Sequence, residues 1–319
     1  MTSAIFKKPW PYLALILAHM IWGGNFVVAK VTLQEFPTYT LAFLRFSLAS
    51  LFLAPFFFAE TSKNLPAGRQ VKIDKKDIPK LTLIGVLMIT LNITFFFTGI
   101  QKTTAINASV LTLVIPMLSV LSGWWFLKEK VYLINLAGIF AGLTGALIIV
   151  GVPRALFGET SSQSLTGNFL IILASIVWVA GAIISRQMLQ KYSSLTVVAF
   201  AFLIAVVTFF IPAALEYIEN PAWTSRVTLV GLLGLLYMTM LSSVSAYFLF
   251  EWGLAKTSVI IANLFQYIEP FVATVLAVFI LSEKLSVDFA IGAVLIAVGV
   301  FLGTFAKEAH HRHHKAHRI

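Results

Sequence analysis

The chain has 319 residues, is 59% hydrophobic and only 11% charged, and carries a formal net charge of +10. A soluble domain has about 25% charged residues, so this balance points to an integral membrane protein. The absence of cysteine excludes disulfides, thiolate metal sites and cysteine nucleophiles, and the basic residues are scattered over loops without a nucleic-acid-binding module.

Lys7 and Lys8 precede a first apolar run, residues 11–31. It is long for a signal peptide and lacks a small-x-small cleavage site, so it is expected to be retained as span 1. Span 2 covers residues 39–59 and contains Arg45. The hydrophilic segment 60–80, with Pro66, Gly68 and six basic residues, reads as a loop. Spans 3, 4 and 5 fall at 81–100, 104–127 and 131–150. Residues 152–167, rich in Gly, Ser and Thr, form the expected linker. Spans 6 to 10 follow at 168–189, 196–214, 228–250, 257–281 and 287–306, before a basic, His-rich tail at 307–319.

Ten spans put both termini on one side. If that side is cytoplasmic, the outer segments hold only Lys30, Lys102, Arg154, Arg226 and Lys284. Almost all the remaining Lys and Arg then lie inside, as membrane topology favours. The expectation is a multi-pass protein of the cell (plasma or inner) membrane with both termini cytoplasmic.

The chain also matches itself. At a shift of 154 residues, Gly99 meets Gly253, Pro116 meets Pro270, and Glu129-Lys130 meets Glu283-Lys284. At 156, Trp22 meets Trp178 and Lys30 meets Arg186. Residues 1–151 and 168–306 are therefore read as two copies of one unit. An odd number of spans per copy turns the second upside down, the inverted-repeat architecture of secondary transporters, with substrate held near the midplane. The fold class expected is an all-α integral membrane protein of ten transmembrane helices in two inverted five-helix repeats.

The motifs Leu41-Ala-Phe-Leu-Arg-Phe46, Ile106-Asn-Ala-Ser-Val…Pro116 with Leu127-Lys-Glu-Lys130, and Ile261-Ala-Asn-Leu-Phe-Gln-Tyr-Ile-Glu-Pro270 with Leu281-Ser-Glu-Lys284 resemble the EamA branch of the drug/metabolite transporter superfamily. Trp22-Gly-Gly-Asn25 also fits, and the resemblance covers essentially the whole chain in two copies. It implies a ten-helix transporter of small metabolites, often an exporter of amino acids or related compounds.

Polar groups inside spans are costly and are therefore functional candidates. Glu269 is either a protonatable coupling site, a ligand for a substrate amine, or one half of a structural ion pair with Arg45, which lies at a similar depth. Pro116 and Pro270 each remove a backbone donor and serve either as flexing points for gating or as fixed kinks. His19, Trp22 and Asn25 share one face of span 1. His19 is either a hydrogen-bonded core residue or a proton carrier. Trp22 and Trp178 are cavity walls or packing. Asn107, Asn263, Gln266 and Tyr267 could line the cavity from the two proline-bearing spans, and Asn92, Ser243 and Tyr247 from spans 3 and 8. No metal site or cofactor is expected, and the tail reads as a topology and lipid-headgroup signal rather than a metal ligand. The pair Gly-Lys never occurs, so no P-loop can drive transport by ATP. The leading reading is a secondary transporter exporting a small metabolite by alternating access, with protons as a candidate coupling ion. A membrane-embedded enzyme and a non-transporting scaffold are the alternatives.

Overall fold

The computed structural model describes residues 9–61, 73–127, 133–150, 162–295, 297–299 and 302. Among the described residues all regular structure is helical. In chain order the helices are α1 (Trp10–Thr32), α2 (Thr38–Thr61), α3 (Lys75–Ile100), α4 (Ala105–Leu111 continuing as Val114–Leu127) and α5 (Leu133–Val150). The second group is α6 (Ser162–Met188), α7 (Ser194–Glu219), α8 (Leu229–Lys256), α9 (Val259–Leu281) and α10 (Val287–Gly299).

Local chemistry accounts for where several helices begin. The side chains of Thr104, Ser193, Thr228 and Ser258 each accept a hydrogen bond from a backbone N–H in the first turn of α4, α7, α8 and α9. Each such cap is worth about 1 kcal/mol. Several boundaries differ from the sequence reading by up to six residues: α7 runs to Glu219 rather than 214 and α8 to Lys256 rather than 250, and two helices start in segments read as loop or linker. Asp74 accepts from the Lys76 amide at 3.2 Å, which starts α3 inside the segment read as loop. Ser162 opens α6 six residues earlier than expected, within the segment read as linker. The N-terminal lysines, Glu129-Lys130, most of the linker and the His-rich tail lie outside the described residues.

Among the described residues seven helices, α1, α2, α3 and α6 to α9, are long and apolar enough to cross a membrane, while α10 and the apolar Ala105–Ser119 part of α4 are shorter. The distribution of side chains agrees with a bilayer environment. Phe56, Leu229, Phe271 and Phe279 are exposed, whereas His19, Arg45, Glu251 and Glu269 are buried. That inverts the arrangement of a soluble domain. With hydrocarbon outside, polar groups are stable only against one another inside the bundle.

Packing follows the internal repeat. Helix α2 lies mainly against α7, its counterpart in the second copy. Helix α3 packs on α6, and α1 on α8, so the first and third helices of each copy exchange partners. The helices nearest the centre are irregular at equivalent places. A π-helical stretch interrupts α3 at Gly85–Leu91 and α8 at Tyr237–Ser245. Helix α4 breaks at Thr112-Leu113, and α9 tightens into a 3₁₀ turn at Phe265–Tyr267. The prolines explain the second pair of irregularities. Pro116 and Pro270 have no N–H for the carbonyls four residues back, which are those of Thr112 and Gln266. At Thr112 the carbonyl instead accepts from Ile115 N at 2.9 Å, a tighter turn.

Candidate functional site

Beside these irregular stretches lies a central cavity of about 80 Å³, well below the roughly 300–1,000 Å³ of a typical ligand-filled site. Its apolar wall is aromatic: Trp22 and Phe26 from α1, Phe96 from α3, Trp178 from α6 and Tyr247 from α8. The Trp22 and Trp178 rings meet edge to face, centroids 5.2 Å apart at 86°, and Tyr247 contacts both. Edge-to-face pairs add about 0.5–1.5 kcal/mol each beyond burial. Trp22 Nε1 donates to the Ser242 carbonyl at 3.0 Å. The π stretch of α8 thereby holds the ring in place.

The polar wall has two parts. In the first, Glu269 is 3% exposed and bonded through both oxygens. Oε1 lies 2.7 Å from His19 Nδ1, and Oε2 accepts from Gln266 Nε2 at 2.5 Å. The same Gln266 amide nitrogen reaches Thr112 Oγ1 at 3.2 Å. The other imidazole nitrogen, Nε2, lies 3.2 Å from the Ala262 carbonyl. A carbonyl only accepts, so Nε2 carries a hydrogen. At 2.7 Å the Nδ1–Oε1 contact is then a hydrogen bond only with a proton on the ring or on the carboxyl.

Close approach of α1 to α9 makes this dyad possible. At Gly23 a Cβ would sit 2.7 Å from Val272 Cβ and 3.0 Å from the Glu269 carbonyl oxygen. Only a residue without a side chain fits there.

In the second part, Arg45 is 1% exposed and lines the cavity. Its Nε donates to Ser243 Oγ at 2.6 Å and Nη2 to Ser242 Oγ at 3.0 Å, while the guanidinium carbon lies 5.0 Å from the Phe46 ring centroid. The ion pair with Glu269 considered from the sequence is not formed. The two serines of the π stretch bond Nε and Nη2 of Arg45 instead, and His19, one turn before Trp22, takes the carboxylate.

Other residues singled out in the sequence fall into two groups. Asn25, Asn92, Gln266 and Tyr247 line the cavity, and the Asn92 side-chain amide donates to the Ala174 carbonyl at 2.9 Å. Asn263 lies behind the wall, donating to Ser119 Oγ at 2.8 Å and accepting from Trp178 Nε1 at 3.5 Å. His19 and Ser243 also stand behind the wall, each holding a lining residue. Tyr267 and Asn107 are half-buried and do not line it; the Asn107 backbone N–H caps onto Thr104 Oγ1 at 3.0 Å. Sequence reading missed Thr112 and Ser242, although Thr112 was recoverable as the position equivalent to Gln266. It also missed the buried Glu251, which accepts from Ser185 Oγ at 2.6 Å.

The ends of the bundle repeat one device. Lys30 Nζ donates to the Thr103 carbonyl at 2.5 Å, and its counterpart Arg186 donates through Nε to the Thr257 carbonyl at 3.2 Å. Glu283 accepts from the Ala105 and Ile106 amides at 2.8 and 3.1 Å, and lies 3.3 Å from Lys30. It therefore caps the positive end of α4.

Family comparison agrees with this doubled architecture. The EamA-like transporter family matches twice, at residues 9–151 and 165–305. The chain belongs to the EamA-like transporter family. A protein of Archaeoglobus fulgidus named as an uncharacterized transporter is 30% identical over 92% of this chain and 96% of its own length. The Bacillus subtilis transporter YetK is 28% identical, over 95% and 89% respectively, and a WAT1-related protein of Arabidopsis thaliana 23%, over 92% and 90%. A solved crystal structure shares the fold with a TM-score of 0.63, at 18% identity over 93% of this chain and 97% of that one. Like these EamA relatives, the chain is a multi-pass membrane protein of the drug/metabolite transporter superfamily, and membership supports a membrane transporter acting on a small molecule.

Proposed function

We propose that this protein is a secondary transporter that exports a small metabolite by alternating access and couples the movement to a proton at His19–Glu269. In this reading ten spans form two inverted repeats, residues 1–151 and 168–306, in the cell membrane with both termini cytoplasmic. The observation that carries it is the meeting of equivalent breaks, Thr112 in α4 and Gln266 in α9, at the cavity wall beside the His19–Glu269 contact. Breaks in helices facing a midplane cavity leave backbone and side-chain groups free for substrate and ions, as in other inverted-repeat carriers. Pro116 and Pro270 keep those two turns loosely bonded, so each half of α4 and α9 can tilt without breaking a full helix.

The dyad supplies a coupling step. With its proton present, Nδ1 and Oε1 attract. With the proton gone, a carboxylate faces the imidazole lone pair, and α1 and α9 keep only the Nε2–Ala262 carbonyl bond of the two that His19 makes. Proton loss or gain thus alters the cohesion of the two helices that flank the cavity. An enzyme reading finds less support, since the cavity wall holds one carboxylate and no nucleophile–base pair.

The test is uptake of labelled metabolites into inside-out vesicles carrying the protein, with and without an imposed proton gradient. Uptake that is driven by the gradient and absent from control vesicles is expected. Lack of movement of every solute across a broad panel would overturn the transporter reading.

A further inference from the structure

We propose that the guanidinium of Arg45 is the anion subsite of the cavity, and that the transported metabolite carries a carboxylate attached to an apolar body. This rests on the transporter reading above and names the class of its substrate.

Arg45 stays protonated in any protein environment. Inside a membrane bundle such a cation ordinarily pairs with a carboxylate. Here no carboxylate lies within salt-bridge distance among the described residues: Glu269 is bonded to His19 and Gln266, and Glu251 to Ser185. The partners of Arg45 are two neutral hydroxyls, which leave its positive charge uncompensated. Its third nitrogen, Nη1, is buried and has no hydrogen-bond partner. A guanidinium presents donors in a fork that matches a carboxylate, and an unspent donor in a residue lining an otherwise organised cavity marks where the ligand supplies the acceptor.

The surroundings define the rest of the ligand. Asn25 Oδ1 is a second buried atom without a partner, and Asn25 lines the same cavity. It offers an acceptor to a hydroxyl or amine on the substrate. Trp22, Trp178 and Tyr247 supply the apolar wall. Ser242 and Ser243 hold the guanidinium through Nη2 and Nε, so its orientation is set before the ligand arrives, which lowers the ordering cost of binding.

The probes are four compounds of one shape: 3-phenylpropionate, its primary amide, 3-phenylpropanol and 3-phenylpropylammonium. Binding is measured by calorimetry on the full-length protein in phosphatidylcholine nanodiscs, with protein-free discs as the blank. The carboxylate is expected to bind roughly 10- to 100-fold more tightly than the amide or alcohol, the range of a charge-assisted hydrogen bond. Arg45→Gln is expected to abolish the preference and Arg45→Lys to keep part of it. Equal or tighter binding of the ammonium compound, or no preferential binding of the carboxylate, overturns the proposal. So does a preference that survives in Arg45→Gln. The charge series on the unaltered protein decides the matter even where Arg45→Gln does not fold. Vesicle transport separates the two readings. Movement of a neutral or cationic solute without carboxylate binding sinks the subsite alone. Carboxylate binding with no solute movement sinks the transport reading alone.

Discussion

Thr112 and Gln266, equivalent residues 154 positions apart, touch each other: the Gln266 amide donates to the Thr112 hydroxyl at 3.2 Å. A residue that contacts its own repeat mate lies at the pseudo-symmetry centre, where the two copies meet. Trp22 and Trp178 are a second such pair. Hydrogen bonds between membrane helices average about 0.6 kcal/mol and reach about 1.7 in double-mutant cycles. A cycle of Thr112→Val and Gln266→Leu, read by thermal unfolding in detergent, is expected to give a coupling energy within that range. Strictly additive effects would show that the contact does not join the two breaks.

Glu269→Gln removes the titratable carboxyl while keeping a side chain of nearly the same shape. Transport by this variant is expected to lose its dependence on the proton gradient, and His19→Gln to do the same. An unchanged pH profile in either variant would remove the dyad from the coupling step.

Gly23 lets α1 approach the carbonyl of Glu269. Gly23→Val forces a branched side chain into a space where even a Cβ meets Val272 at 2.7 Å. Overpacking of this kind costs about 1–3 kcal/mol. A lowered unfolding temperature and lost gradient coupling are expected together, because the displaced helix carries His19 away from its partner. Gly23→Ala is expected to show the same effects in smaller measure.

Glu35, in the turn between α1 and α2, accepts from the Thr228 amide at 2.7 Å and from its hydroxyl at 2.8 Å. The Thr228 backbone hydrogen bond, followed by that of its side chain, holds the carboxyl below its ordinary value of 4.5. A carboxyl with a depressed folded pKa contributes stability above its unfolded value and loses that contribution as pH falls through the folded one. Unfolding midpoints are therefore expected to drop on acidification below about pH 4.5, and the drop to shrink in Glu35→Gln. Equal acid sensitivity in both proteins would place the effect elsewhere.

Seven of the expected spans and the doubled architecture were legible because apolar runs and repeated Gly, Pro and Trp positions are local or periodic signals. The partners of Arg45 and Glu269 were not. Similar depth suggested that the two charges would pair, but depth says nothing about which way each helix is rotated. The rotation is set by the π stretch of α8, whose extra residue brings Ser242 and Ser243 to face Arg45, and no composition rule flags a π stretch. His19 illustrates the same limit. Its place on the face of Trp22 and Asn25 was readable, whereas its bond to a residue 250 positions away depends on how closely Gly23 lets α9 approach.

The π stretches carry a consequence for how this chain tolerates length changes. Each accommodates one residue more than a regular helix would, and a residue advances a helix by about 100°. Deleting a single residue within 237–245 would therefore be absorbed locally: α8 would relax to a uniform helix with Tyr247 still facing Trp22, while Ser242 and Ser243 would shift their register against Arg45. The same deletion within 85–91 would leave Asn92 and Phe96 on the wall. A deletion in a regular segment of either helix has no such slack and would turn everything beyond it by about 100°.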